Sequence, residues 1–333
     1  MRTIDWSGDA ITMIDQTALP AELRILRIDT VDALIDAIRR LAVRGAPALG
    51  AAGALGVALA AVGGEGDGEG VRAAAAALRA ARPTAVNLAW GVDRALARLP
   101  EGPDAVVAEA LSVLDEDAAT NRAIGRRGAD LLTSMGLDQV TVLTHCNTGA
   151  LACVEWGTAL GIVRQLHGEG RLRGVVADET RPLLQGARLT AFELAEMGVD
   201  YRVIVDSAAA SVLGSGGVDV AIVGADRITA NGDVVNKIGT LAVALAAAHF
   251  GVPFLVAAPE STIDPATEHG SDVTVEDRSP EEVTSFAGVR TAPPGAGAVN
   301  PAFDVTPAGL VTAVVTERRV IEGRAAESAA STR

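Results

Sequence analysis

The residues richest in chemistry crowd one stretch, QVTVLTHCNTGALACVEWG, residues 139–157, which holds both cysteines of the 333-residue chain. An apolar run leads to His145, and Cys146 opens a polar Cys-Asn-Thr-Gly turn before a helix-like stretch begins. A thiol at a helix N-terminus is shifted toward thiolate by the free N–H groups and the helix dipole, which makes it a nucleophile or a base. A buried structural cysteine is the other reading of Cys146, because free cysteine is among the most buried residue types. Cys153, seven residues on with no polar turn around it, reads as core. The pair is not a CxxC motif and the four histidines are scattered, so no metal site is indicated. His145 and Cys146 are neighbours on an extended run and point to opposite faces. That makes His145 a hydrogen-bonded core histidine rather than a dyad partner of the thiol.

Asp226 closes the run VDVAIVGAD. An acid behind an apolar run must leave the core at the strand end or be paired. It is either a general acid or base whose pKa a dry pocket raises, or a helix cap or ion-pair partner of Arg227. Asp178 and Glu179 stand at a similar strand end but adjoin Arg181, which favours a structural ion pair. Lys237, in GDVVNKIGT, is the sole lysine; the remainder of the 28 basic residues are arginine. Its compact ammonium suits a phosphate, and it stands just before a predicted helix, where anions are favoured. In VRGAPALG, Arg44 and Gly45 precede another helix whose first backbone N–H groups can cradle a phosphate; Pro47 equally marks an ordinary helix start. GSGG, residues 214–217, precedes a strand and reads as a turn. Neither a GxGxxG after a first strand nor a GxxxxGK[ST] loop occurs, so a nicotinamide dehydrogenase or nucleotide hydrolase has no support beyond the fold class.

These residues need elements to hold them. RTIDW, AITMID and ELRILRI, within residues 1–28, predict a small antiparallel sheet. Thr30 caps a predicted helix through VDALIDAIRRLAV, and helical patterns continue to about residue 133, broken by the GGEGDGEG loop (63–70) and by Arg82-Pro83, with Thr84 as the next cap. Beyond that, VTVLTH, GVVADE, YRVIVD, VDVAIVGA and PFLVAA alternate with helical stretches, which predicts a parallel sheet with helices on both faces. The fold class is therefore α/β, with an N-terminal part over residues 1–133, a second domain over 134–325 and a tail, 326–333, that frays. Ligands of such sheets bind beyond the carboxyl ends of the strands. Cys146, Asp178, Asp206, Asp226 and Glu260 all follow such ends.

Composition narrows the partners. Net charge is −14 and pI about 4.8, which argues against nucleic-acid or membrane-surface binding. Residues 45–64 carry no charge, a length that could span a membrane, but their Ala/Gly content predicts a buried, closely packed helix. MRTIDWSGDA has no apolar signal core, and two cysteines give no disulfide framework, so a reducing cytoplasmic setting is expected.

Taken together, RGAPALGAAGALGVALA, RPTAVNLAW, THCNTGALA, ETRPLLQGARLTAFEL, GADRITANGDVVNKIGT and NPAFDVTP, in this order across residues 44–307, resemble the methylthioribose-1-phosphate isomerases. Their superfamily also holds ribose-1,5-bisphosphate isomerases and regulatory subunits of the exchange factor for translation initiation factor two. The resemblance implies an aldose–ketose isomerisation of a sugar phosphate in methionine salvage. It makes Cys146 and Asp226 the catalytic pair. It gives the phosphate and sugar hydroxyls to Arg44 with the Gly45 and Ala46 amides, Arg82, Gln185, Asn236 and Lys237. A Rossmann-like C-terminal domain, a homodimer and no metal or cofactor are implied with it. The chain departs from the family pattern at Leu55, Phe192, Leu241 and Val299, which leaves 5-deoxyribose 1-phosphate open as a substrate. Ribose 1,5-bisphosphate would need a second cationic site, and a non-catalytic subunit would not need both Cys146 and Asp226.

Overall fold

The structure, a computed structural model, describes residues 2–63, 68–83 and 85–323. The expected cap Thr84, the middle of the GGEGDGEG loop and the tail 326–333 lie outside the described residues. In chain order the elements are β1 (Ile4–Trp6), β2 (Ile11–Ile14), β3 (Ile25–Ile28), α1 (Val31–Arg39), α2 (Ala46–Val62), α3 (Gly68–Ala81), α4 (Val86–Leu96) and α5 (Pro103–Ser134). There follow β4 (Val140–Thr144), α6 (Ala159–Gly168), β5 (Leu172–Asp178), α7 (Ala191–Glu196), β6 (Tyr201–Ile204), α8 (Ala209–Gly214), β7 (Val220–Val223), β8 (Arg227–Thr229), β9 (Val234–Lys237) and α9 (Thr240–Phe250). The remainder are β10 (Phe254–Ala257), β11 (Ile263–Asp264), α10 (Glu281–Thr284), β12 (Ser285–Phe286), β13 (Val289–Arg290), β14 (Phe303–Thr306), β15 (Ala313–Val315) and β16 (Val320–Glu322).

The chain divides into two compact units. One holds the residues up to Gly125 together with Thr148–Gly161; the other holds Arg126–Asn147 and the residues from Ile162 on. In the first unit β1, β2 and β3 form the expected antiparallel sheet, with Ile4 opposite Met13 and Ile11 opposite Ile28. Thr30 caps α1 by accepting the Ala33 N–H at 3.2 Å. Helix α2 is buried all round from Ala48 to Ala61, as a helix without a polar face must be. Its glycines let α4 close in: a Cβ on Gly53 would stand 2.5 Å from the Leu88 carbonyl oxygen. No described helix is long and apolar enough to cross a membrane.

The second unit is built on a seven-stranded sheet in the order β16-β15-β10-β7-β4-β5-β6, parallel except for β16. The five apolar runs of the sequence all become its strands. The chain enters at β4, adds β5 and β6 on one side, then crosses to lay β7 and β10 on the other. The order therefore reverses between β4 and β7, and a crevice for ligand opens at such a reversal. Two features were not expected from sequence. Strands β15 and β16 extend the sheet, and β11, β8, β9 and β14 form a second sheet of four short strands, too brief to leave an apolar run.

The stretch after Cys146 is corrected by the structure. No helix starts there: residues 150–152 make one 3-10 turn, and α6 begins only at Ala159. Gly149 and Gly157 bridge across this excursion, and Gly157 sits at φ 94°, where an added Cβ would lie 2.4 Å from the Gly149 α-carbon. The glycine pair and the bond from Thr158 N to Thr148 O, 2.9 Å, close a loop where the apolar spacing had indicated a helix.

Candidate active site

Strand β4 is flanked in register by β7, with Leu143 opposite Ala221, and by β5, with Thr144 opposite Ala177. The Thr144 hydroxyl also donates to the Ile222 carbonyl at 2.8 Å. Cys146 follows β4 and Asp226 follows β7, so both leave neighbouring parallel strands, about 4.8 Å apart, at the carboxyl edge where the order reverses.

Cys146 is buried, 7% exposed, and its backbone is left-handed, φ 63°. Two threonine hydroxyls bracket it. Thr180 Oγ1 accepts the Cys146 N–H at 2.9 Å, and Thr190 Oγ1 donates to the Cys146 carbonyl at 2.6 Å. Thr180 itself sits at φ 64°, an outlier for a β-branched residue. Such strain persists only where the surroundings enforce it, and it clusters at functional sites. Here the Asp206 carboxylate enforces it by accepting the N–H groups of Thr180 and Arg181, each at 2.7 Å. The thiol therefore does not rest on a helix N-terminus, as the sequence indicated; it is held by a strained turn.

Asp226 is exposed, and its N–H donates to Val235 O at 3.0 Å, which ties it to β9. Arg227, weighed as its ion-pair partner, binds Asp264 at 3.1 Å. The expected pairing of Arg181 with Asp178 or Glu179 is not what holds Arg181. Its guanidinium donates to the carbonyls of Pro182, Glu282 and Val283 and lies over Phe286. Asp178 turns inward to His145: Nδ1 lies 2.8 Å from Asp178 Oδ2, and Nε2 lies 2.8 Å from Ile238 O. His145 is thus the hydrogen-bonded core histidine expected of it. With Asp206, these two place ligand-type atoms within 4.8 Å of one another. Both imidazole nitrogens are engaged and Asp206 already caps two amides, so the cluster offers no free metal-binding set.

Asn236 and Lys237 end β9, whose neighbours bind Asp226 on one side and His145 on the other. Asn236 is buried and donates to Thr240 Oγ1 at 2.9 Å. Lys237 Nζ donates to Ala302 O at 2.8 Å and lies 4.6 Å from the Phe303 ring centroid. The helix start behind it, predicted as an anion site, already carries one. Asp304 accepts Gly239 N–H at 2.7 Å and Leu241 N–H at 3.2 Å. Burial lifts the Asp304 carboxyl above its usual range, against the pull of these amides. Gln185 is buried at the turn after β5, between Leu184, φ 60°, and Gly186, whose missing Cβ lets the turn sit on the Asp178 carbonyl.

Arg44, Gly45, Ala46 and Arg82 lie in the other unit. Arg44 Nε donates to Gln16 Oε1 at 3.2 Å, and Gln16 Nε2 donates to Leu151 O at 2.7 Å. Gly45 precedes α2 at φ 93° and offers no side chain to cap it. Arg82 is half-buried just past α3. Thr180, Thr190, Asp206 and Asp304 were given no role from sequence. Asp304 did stand inside NPAFDVTP, and Asp206 at a strand end, but nothing in the chain said what either would hold. A cavity of about 420 Å³ opens at the opposite, amino edge of the sheet, beside Arg173, Tyr201 and Arg202, and contains none of the predicted site residues.

Known proteins resemble this chain. The model of the initiation factor 2 subunit family matches residues 42–323. A methylthioribose-1-phosphate isomerase of Anaeromyxobacter sp. (strain K) is 53% identical over 95% of this chain and 92% of its own. A probable bifunctional methylthioribose-1-phosphate isomerase/methylthioribulose-1-phosphate dehydratase of Nocardia farcinica is 56% identical over 98% of this chain, which spans 61% of that protein's length. The crystal structure of 5-methylthioribose 1-phosphate isomerase from Pyrococcus horikoshii OT3 superposes with a TM-score of 0.90, at 40% identity, over 100% of this chain and 96% of that one.

Proposed function

Because the chain belongs to the initiation factor 2 subunit family, we propose that it is a sugar-phosphate isomerase converting 5-methylthioribose 1-phosphate to 5-methylthioribulose 1-phosphate. The observation that carries this reading is the emergence of Cys146 and Asp226 from adjacent parallel strands at the reversal of strand order. In this reading a cytoplasmic homodimer acts without metal or cofactor, divided functionally into residues 1–133 and 134–325.

The substrate carries phosphate on its anomeric carbon, so no free aldehyde forms unaided. Ring opening needs a proton on the ring oxygen. Asp226 supplies it, which asks for a carboxyl kept neutral near pH 7; substrate seated over the exposed side chain provides the desolvation. One hydrogen then moves from C2 to C1. In a proton route Cys146 takes the C2 proton and an enediolate forms before C1 is reprotonated. In a hydride route the hydrogen crosses with its electron pair to an oxocarbenium-like C1 while the C2 hydroxyl proton passes back to the Asp226 carboxylate, leaving the C2 ketone, and Cys146 orients and polarises. Arg44 with the Gly45 and Ala46 amides, Arg82, Gln185, Asn236 and Lys237 bind the phosphate and hydroxyls. Charge-assisted bonds of roughly 1.5–3 kcal/mol each offset the protein's negative field.

The test is turnover of the purified chain on methylthioribose 1-phosphate, with 5-deoxyribose 1-phosphate and ribose 1,5-bisphosphate alongside. Ketose formation from the first confirms the reading, and no turnover on any of the three overturns it. Running the reaction in deuterium oxide separates the routes: label at C1 of the product marks proton transfer, and its absence marks hydride transfer.

A further inference from the structure

The buried pair of Asp178 and His145 has no part in the chemistry just described, yet it lies next to the thiol in the chain. Both side chains are fully buried. The Ile238 carbonyl can only accept, so His145 Nε2 carries a proton. Nδ1 faces a carboxylate oxygen at 2.8 Å, so one further proton lies between the two. Among the described residues Asp178 Oδ1 has no hydrogen-bond partner, although a buried carboxylate oxygen left so costs about 1–3 kcal/mol. A plain core contact would not carry that cost, and a hydrophobic pair of the same size would avoid it.

The pair joins separate elements. Asp178 ends β5, His145 follows β4, and Ile238 follows Lys237 at the end of β9. The ring also packs on Gly239: a Cβ there would lie 2.6 Å from His145 Cε1, and φ is 106°. We infer that Asp178 and His145 form a positioning dyad, which fixes the Cys146 turn and the Asn236-Lys237-Ile238-Gly239 turn in one register. It acts through its neighbours, since both ring nitrogens of His145 are taken by Asp178 and the Ile238 carbonyl. Burial would push the imidazole toward its neutral form; the hydrogen bond and charge of Asp178 outweigh that and hold His145 above the ordinary histidine range. The other charges acting on this centre are Asp206 after β6, Asp304 on β14 and Glu179 beside Asp178. Asp206 and Asp304 favour the imidazolium, and Lys237 on β9 acts on Asp304.

The turnover arm of the test rests on the isomerase reading; the other arms do not. Asp178→Asn and His145→Ala, in the full chain, should lower kcat about 10²-fold, the loss that a displacement of roughly 1 Å produces. His145→Gln, which can still donate to the Ile238 carbonyl, should recover part of it. Alkylation of Cys146 by iodoacetamide, read by mass at its peptide, should change several-fold in Asp178→Asn. In the unmodified protein, the ¹⁵N signals of His145, one of four histidines, should show Nε2 protonated throughout and the second proton retained above the pH at which an exposed histidine loses it. A ring that titrates near 6.5 like an exposed histidine overturns the dyad, even if the variants fail to fold. So does an Asp178→Asn protein with unchanged kcat and alkylation rate. If the unmodified chain turns over no sugar phosphate, the isomerase reading falls alone, and the alkylation and ¹⁵N results still decide the dyad.

Discussion

Gly45→Ala puts the helix-start geometry to a quantitative test. Gly45 has φ 93° and ψ 139°, a combination that side chains avoid. An added Cβ would stand 2.6 Å from Ala152 Cα and 2.8 Å from Ala152 Cβ, and closer still to the Ala152 carbonyl oxygen. The neighbouring segment has little room to retreat. Leu151 O is held by Gln16 Nε2 at 2.7 Å, Ala150 O by Thr3 Oγ1 at 2.6 Å, and Ala152 N by Gly149 O at 3.0 Å. The backbone strain costs about 1–3 kcal/mol, and yielding two of those hydrogen bonds adds about 1 kcal/mol each. The expected loss is therefore about 3–5 kcal/mol, a fall in Tm on the order of 10 °C for a chain of this size. Gly8→Ala supplies the control: its φ is 91°, and among the described residues nothing lies within 4 Å of an added Cβ. It should lose only the backbone part, about 1–2 kcal/mol. Urea midpoints and thermal melts of both variants decide the matter. Equal losses in the two would refute the contact argument, and unchanged stability in both would refute the strain argument as well.

Other outcomes follow from the same structure. Cys146→Ser and Asp226→Asn should each lower kcat by orders of magnitude while the melting temperature barely moves; near-normal turnover in both would sink the proposed chemistry. Lys237→Ala should raise KM about 10- to 100-fold, the worth of one charge-assisted bond, and lose some stability with the Phe303 contact; an unchanged KM removes Lys237 from the phosphate site. Asp117 gives a pH signature, because burial lifts its carboxyl to about 7, against the hydrogen bond from Val154 N at 2.7 Å. The unfolded chain releases that proton near pH 4, so between about 4 and 7 the folded state binds more protons and stability falls as pH rises. Asp117→Asn should gain stability over the unmodified protein at pH 8, by up to a few kcal/mol, and much less at pH 5; a constant difference across that range would contradict the assignment.

Much of the sheet was legible because its strands are fully buried and leave continuous apolar runs. VTVLT and VAIV became β4 and β7, and the residues just beyond them became the candidate pair. What no run could reveal is which strands are neighbours: that Cys146 and Asp226 share an edge depends on β7 crossing back over β4. Asp178 and His145 are 33 residues apart and met only through the β4–β5 register, so the nearer Arg181 looked the better partner. The spurious helix after Cys146 came from Ala and Leu at helical spacing; two glycines bridging eight residues apart, at 149 and 157, outweighed it. The Asp304 cap of α9 lies 65 residues from Gly239, beyond any local capping signal.

The return of Thr148–Gly161 to the first unit also sorts the chromophores. It carries Trp156, and with Trp6 and Trp90 it puts all three indoles of the chain in that unit, while the single tyrosine, Tyr201, stands in the other. Indole emission therefore watches one unit, and far-ultraviolet circular dichroism watches both. Denaturation curves from the two signals will coincide if the units melt as one and part if they melt in turn. The molecule thus carries a built-in, label-free reporter of its own cooperativity.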